Sequence, residues 1–82
     1  MEQNLKLIQG NLVRFLASAL KDEDILKFAV SRSAVAYEIG VKVKRGDDDC
    51  FWYHYRVICL QPEMDFIIAQ ALQPYYSRIV SG

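Results

Sequence analysis

The stretch AVAYEIGVKVKRGDDDCFWYHYRVICL, residues 34–60, carries the pattern that decides the fold. Apolar and polar side chains alternate before the acidic segment 46–49, and they alternate again after it. A period of two is typical of β-strands with one buried face, because successive side chains point to opposite faces of a sheet. The stretch therefore predicts a β-hairpin, with strands over 34–45 and 50–60 joined by a turn at 45–49.

The hairpin has one favoured register. One face then consists of aromatic and β-branched cross-strand pairs, which stabilise an antiparallel ladder: Val43–Phe51, Val41–Tyr53, Ile39–Tyr55 and Tyr37–Val57. The second face carries the pairs Glu38–Arg56, Gly40–His54 and Lys42–Trp52. A shift of one residue would turn charged side chains toward the core on both strands, so we expect this register.

Helical periodicity flanks the strands on both sides. Apolar residues recur at spacings of three and four over 4–20, and again over 62–73, where Pro62 suits the first turn of a helix. Pro74 has no amide hydrogen to donate and its ring crowds the preceding turn, so we expect a kink or a break near Gln73. These segments predict one helix before the strands and one after them.

The segment between the first helix and the hairpin has two interpretations. Alternation over 25–31 favours a strand that ends in a turn at 31–33, with its apolar side formed by Leu26, Phe28 and Val30. A helix over 22–31 is the alternative. With the strand, the fold class is α+β with the order α-β-β-β-α, a three-stranded antiparallel meander sheet with two helices packed on one face.

Composition limits the classes to which the protein can belong. The 82 residues suffice for one domain, 1–82, and a hydrophobic share of 52% excludes a disordered chain. Ten Lys and Arg balance ten Asp and Glu, which disfavours nucleic acid as a partner without excluding it. No apolar run reaches the roughly 18 residues of a membrane span. The first residues, MEQN, lack the features of a signal peptide, so we expect a cytoplasmic protein with no membrane partner.

No residue pattern predicts catalysis, a metal site or a cofactor. Cys50 and Cys59 would lie about 30 Å apart on one strand and on opposite faces, so we expect two free thiols. The same-face neighbours of His54 along its strand are Trp52 and Arg56, which supply neither a nucleophile nor an orienting carboxylate. The consecutive carboxylates at 47–49 lack the alternate spacing of a calcium loop. We therefore expect a non-enzymatic protein with no evident small-molecule substrate.

The second face of the sheet is the candidate binding surface. Its candidate binding residues combine two rings with basic groups: Lys42, Lys44, Trp52, His54 and Arg56. Two helices cover one face of a small sheet, so we expect this face to be exposed, with a shallow place at Gly40. The alternative is that Trp52 lies under the stems of Lys42 and Arg56. Tyr75 and Tyr76, at the end of the last helix, form a second candidate surface.

Two functions fit such a surface. Trp, Tyr and Arg dominate protein–protein interfaces, and a domain this small has a thin stability margin that self-association can improve. An aromatic ring surrounded by basic groups also suits single-stranded nucleic acid. We expect a protein-interaction module (a small adaptor, inhibitor or regulatory subunit), either monomeric or homodimeric, with a weak single-stranded nucleic acid binder as the alternative.

The predicted element order is similar to that of the double-stranded-RNA-binding domain, which is also α-β-β-β-α. That family contacts phosphates through lysines at the start of its last helix. The corresponding residues in this chain are Gln61, Pro62, Glu63, Met64 and Asp65. Their two carboxylates would repel a phosphate, so the resemblance concerns topology and does not predict RNA binding.

Overall fold

The computed structural model describes residues 4–80. The first three residues of the segment MEQN, from which we expect no signal peptide, lie outside the described part. Its elements are α1 (Leu5–Ala19), β1 (Asp24–Arg32), β2 (Tyr37–Arg45), β3 (Asp49–Val57) and α2 (Glu63–Tyr76). The strands form one antiparallel sheet in the order β1-β2-β3. The predicted α-β-β-β-α order and the α+β class are confirmed.

The hairpin has the predicted register throughout. The ladder runs without irregularity from Tyr37–Val57 to Arg45–Asp49. Gly46 in its loop has φ of 77°, a conformation that a residue without Cβ adopts most easily. β3 ends at Val57, which corrects the predicted end of this strand at residue 60, and Cys59 is buried beyond the strand.

The turn between β1 and β2 lies later than predicted. The Ser33 amide donates to the Ala36 carbonyl at 2.9 Å, and the Ser33 hydroxyl oxygen accepts from the amides of Val35 and Ala36 at 3.2 Å. A serine hydroxyl that bonds the backbone ahead of it stabilises a turn. β2 therefore begins at Tyr37 rather than at residue 34. Val35, which alternation over 34–45 would place on the same face as Tyr37, is 58% exposed, whereas Ala36 is fully buried.

β1 is a strand, and this excludes the helical alternative for 22–31. A β-bulge between Ile25 and Lys27 shifts its alternation by one residue. Ile25 is fully buried as a result, and Leu26, predicted to face inward, is only half-buried. From Phe28 onward the predicted alternation holds, since Phe28 lies opposite Val41.

The two helices begin as their sequences predict, but the second ends later. The Asn4 side chain accepts a hydrogen bond from the Leu7 amide at 3.1 Å and caps α1. α2 continues through Pro74 to Tyr76, so the break expected near Gln73 is wrong. Contacts of the two terminal tyrosines with the Phe28 ring, at 6.5 and 5.6 Å between centroids, hold the last turn in place.

Both helices pack on the same face of the sheet. The fully buried Leu12 and Leu16 of α1 and Met64 of α2 meet the inward residues of β2. The Tyr37 hydroxyl donates to Asp65 Oδ1 at 2.8 Å, and this bond to a carboxylate raises the pKa of Tyr37. Neither α1 nor α2, the helices of residues 4–80, is long and apolar enough to cross a membrane. No element among the described residues covers the other face of the sheet, called here the open face.

Candidate binding surface

The open face consists of short rows of side chains that run across the three strands. The pairing of β1 with β2 and of β2 with β3 places these rows side by side: Lys27–Lys42–Trp52, Ala29–Gly40–His54 and Ser31–Glu38–Arg56. Lys44 lies at one end of the face, opposite Asp24 and Cys50. The structure thus brings together the five sheet residues that the sequence selected.

The Trp52 indole lies against the backbone of Gly40. A Cβ at Gly40 would come within 3.1 Å of Trp52 Cζ3 and 3.2 Å of Cε3, closer than ordinary carbon contacts. His54 stacks beside the indole, with 6.2 Å between ring centroids and 20° between ring planes. Lys27 crosses the central strand and places its Nζ 5.6 Å from the indole centroid, within the range of a cation–π contact. The indole is therefore held in one position and is still partly open to solvent.

A shallow hollow of about 290 Å³ lies beside this indole. Gly40 and Ala29 form its floor because they have little or no side chain, while Trp52 and His54 form one wall and Ser31 contributes a hydroxyl. The predicted shallow place at Gly40 is thus part of a larger depression that extends onto β1. Its volume is close to the lower limit of small-molecule pockets and suits one large side chain.

The open face is basic although the chain as a whole is neutral. It carries four cationic side chains against two carboxylates, a net charge of +2: Lys27, Lys42, Lys44 and Arg56 against Asp24 and Glu38. Arg56 and Glu38 form an ion pair at 3.0 Å with both side chains about half exposed, so they largely neutralise each other. Among residues 4–80 the three lysines have no ion-pair partner, and two of them adjoin the indole.

The second candidate surface lies on the opposite side of the sheet. Tyr75 and Tyr76 pack around Phe28, which belongs to the helix-covered face. The Arg78 guanidinium lies 5.6 Å from the Tyr75 ring, and Tyr76 is 46% exposed. The structure therefore keeps these tyrosines apart from Trp52, and the two candidate sets do not form one site.

β1 contributes to the open face, and none of its residues was among those predicted for that surface. Lys27, Ala29 and Ser31 all belong to the surface around the indole. Their alternation with Phe28 and Val30 was the signal that could have placed them there. The same segment also allowed a helix, in which Ala29 would lie on a different side from Lys27 and Ser31.

Within residues 4–80 no three His, Cys, Asp or Glu side chains come together in a way that could hold a metal ion. Cys50 is an exposed free thiol and Cys59 a buried one.

The chain matches no protein-family model, no curated protein and no solved structure with which it was compared.

Proposed function

We propose that this protein is a non-enzymatic protein-interaction module, a small adaptor, inhibitor or regulatory subunit, that binds a protein partner through the open face. The observation that carries the proposal is the Trp52 indole, which is held against Gly40, stacked on His54 and partly open to solvent. Trp is enriched among the residues that supply most of the binding energy of protein interfaces. We propose that this activity takes place in the cytoplasm.

The position of the indole supports binding because it is set before a partner arrives. Its support is the backbone of the central strand, and Lys27 and His54 restrict it from the sides. Immobilising a free side chain on binding costs about 0.5–1.5 kcal/mol, and a side chain that is already ordered avoids most of that cost. The open face therefore offers a partner a rigid aromatic contact.

The charge and shape of the open face indicate the chemistry of the partner. The open face carries three lysines without an ion-pair partner among residues 4–80, and two of them, Lys27 and Lys42, adjoin the indole that borders the hollow of about 290 Å³. A complementary surface would place carboxylates around one apolar or aromatic side chain that enters the hollow. We infer a partner with an acidic patch and a protruding apolar residue.

The test compares Trp52→Ala with a matched variant, Phe66→Ala, which removes an exposed aromatic ring from α2, on the helix-covered side of the sheet. A partner captured from the native host with wild-type protein is purified, and its Kd is measured for each folded variant. A central Trp that contributes about 2 kcal/mol or more raises the Kd about thirtyfold when it is removed. Phe66→Ala should leave the Kd unchanged. Equal affinity of wild type and Trp52→Ala would contradict the proposal.

The alternative is weak binding of single-stranded nucleic acid by the same face. The stacked rings of Trp52 and His54, with Lys27 beside them, are the observation that favours it, because bases stack on aromatic side chains while lysines contact phosphates. Titration of a short oligonucleotide against Trp52 fluorescence would detect it. Affinity that falls steeply with salt would support this alternative, because phosphate binding releases counterions.

A further inference from the structure

The two edges of the sheet differ in how they are protected. The β1 edge carries the bulge between Ile25 and Lys27, and the C-terminal segment pairs with it in parallel through a bridge from Ile25 to Ile79. The Val80 amide donates to the Ile25 carbonyl at 2.9 Å in that pairing. Bulges and covering segments are the devices that keep an edge strand from pairing with other chains.

The β3 edge has none of these devices among the described residues. Its sequence, DCFWYHYRV, contains neither proline nor glycine, and its ladder with β2 is free of bulges. It is rich in residues that favour strands, and its charged residues, Asp49 and Arg56, lie at or near its two ends. A long regular edge of this composition is a template for strand addition.

We infer that the β3 edge is a homodimer interface, in which β3 of one copy pairs antiparallel with β3 of a second copy to form a six-stranded sheet. This inference rests on the proposed function only in that it takes the interaction module to be a homodimer. The pairing is made along the edge of β3, so the open faces of the two copies stay uncovered. Two copies would instead join their open faces into one surface.

The sequence of β3 is complementary to itself in this arrangement. A two-fold axis through Tyr53, perpendicular to the sheet, keeps equivalent faces together and sets residues that share a face opposite each other. On the helix side Phe51 then lies opposite Tyr55 of the second copy, and the two Tyr53 residues face each other. On the open face Trp52 lies opposite His54 of the second copy. Aromatic cross-strand pairs of this kind stabilise antiparallel ladders.

Charge also favours antiparallel edge pairing over the other ways in which two copies could meet. Antiparallel strands bring the acidic end of β3, next to the exposed carboxylates at 47–49, close to Arg56 of the second copy. Parallel strands would align like charges. Two open faces stacked on each other would oppose one net charge of +2 to another. A second copy therefore fits the β3 edge and does not fit the open face.

Sedimentation of the full chain from low to high micromolar concentration tests the inference, with Phe51→Lys and Val30→Lys as a matched pair. Both residues are apolar, lie on the helix side of an edge strand and are similarly exposed, 43% for Phe51 and 47% for Val30. Wild type and Val30→Lys should reach twice the mass of one chain. Phe51→Lys should raise the dimer Kd about tenfold or more, because two-fold symmetry removes the aromatic pair twice.

A cross-linking measurement keeps the test independent of the Lys variants. Tyr53→Cys, in a Cys50→Ser background, places two cysteines opposite each other across the two-fold axis, within the Cα separation that a disulfide spans. It should form a linked dimer under mild oxidation, whereas Val30→Cys in the same background should not. Circular dichroism checks that each variant is folded.

Three results would overturn the inference. The first is a wild-type chain that stays monomeric at every concentration. The second is a wild-type dimer in which Tyr53→Cys does not cross-link. The third is a dimer that Phe51→Lys leaves intact while Lys42→Glu, in the centre of the open face, changes its Kd, because that dimer would use the open face. The proposal of a different protein partner is tested by the Kd of Trp52→Ala for that partner, whereas dimerisation is tested by the sedimentation of wild type and Phe51→Lys and by the cross-linking of Tyr53→Cys, so each proposal can fail without the other.

Discussion

Replacement of Gly40 by valine should detach the Trp52 indole from the sheet. A Cβ at this position would lie 3.1 Å from Trp52 Cζ3, whereas carbon atoms in contact lie about 3.5–4.0 Å apart. In Gly40→Ala the indole can move by a few tenths of an ångström and keep most of its contact. The two further methyl groups of valine occupy the space where the indole lies, so the ring must leave its place on the central strand.

The expected loss of stability follows from the area that the indole uncovers. A buried aromatic side chain covers roughly 150–250 Å², so release of about half exposes roughly 100 Å², or about 2.5 kcal/mol at about 25 cal/mol per Å². Valine recovers about 1 kcal/mol, because it favours the strand conformation more than glycine does. The net loss should be about 1–2 kcal/mol, which lowers the Tm of a domain of this size by roughly 4–16 °C.

Thermal unfolding and fluorescence emission measure the two parts of this prediction. Trp52 is the sole tryptophan, so the emission of the chain reports on this indole alone and should shift to the red in Gly40→Val. Gly10→Ala is the matched control, since the nearest atom to a Cβ there is Arg14 Nη1 at 3.7 Å. That change should raise stability by about 1 kcal/mol without altering emission. A Gly40→Val protein with the emission and Tm of wild type would refute the packing of the indole on Gly40.

Two further predictions concern the thiols and the tyrosine that joins α2 to the sheet. Titration under denaturing, non-reducing conditions should find two free thiols, and in the native protein Cys50 should react much faster than the buried Cys59; equal native rates would contradict the burial of Cys59. The carboxylate hydrogen bond raises the Tyr37 pKa above its usual 10.0, so its stabilisation is present below pH 10.0 and is lost as the pH rises through the raised pKa. Tyr37→Phe should therefore be less stable than wild type at neutral pH. As the pH rises through the raised pKa, the stability of Tyr37→Phe should fall by less than that of wild type. Urea midpoints of wild type and Tyr37→Phe that fall equally between neutral and alkaline pH would contradict this pH dependence.

The hairpin could be predicted in detail because its determinants are close together in the chain. The alternation of β2 and β3, and the pairs it creates between Val43 and Phe51 or Ile39 and Tyr55, permit one register. The second face follows from the first, since a strand has only two. Trp52, His54 and Lys42 could therefore be assigned to one surface without knowledge of the helices.

Two differences between the predicted and the observed structure, at Pro74 and in β1, occur where contacts between distant segments outweigh local preference. Pro74 disfavours a helix, yet the last turn of α2 persists because the tyrosines after it pack on Phe28, far away in the chain. The bulge in β1 turns Ile25 into the core in place of Leu26, and it coincides with the pairing of Ile25 with the C-terminal segment. Local patterns carry no information about either contact.

In β2 and β3 the sequence by itself determined which side chains share a face, because a period of two is a property of the strand alone. It also determined the basic character of the open face on β2 and β3. Only the tertiary structure decided that Lys27 reaches across the central strand to Trp52, and that the indole rests on Gly40 beside a hollow floored by Ala29. Those contacts join three strands, so they exist only once all three strands have paired and both helices have covered the opposite face of the sheet.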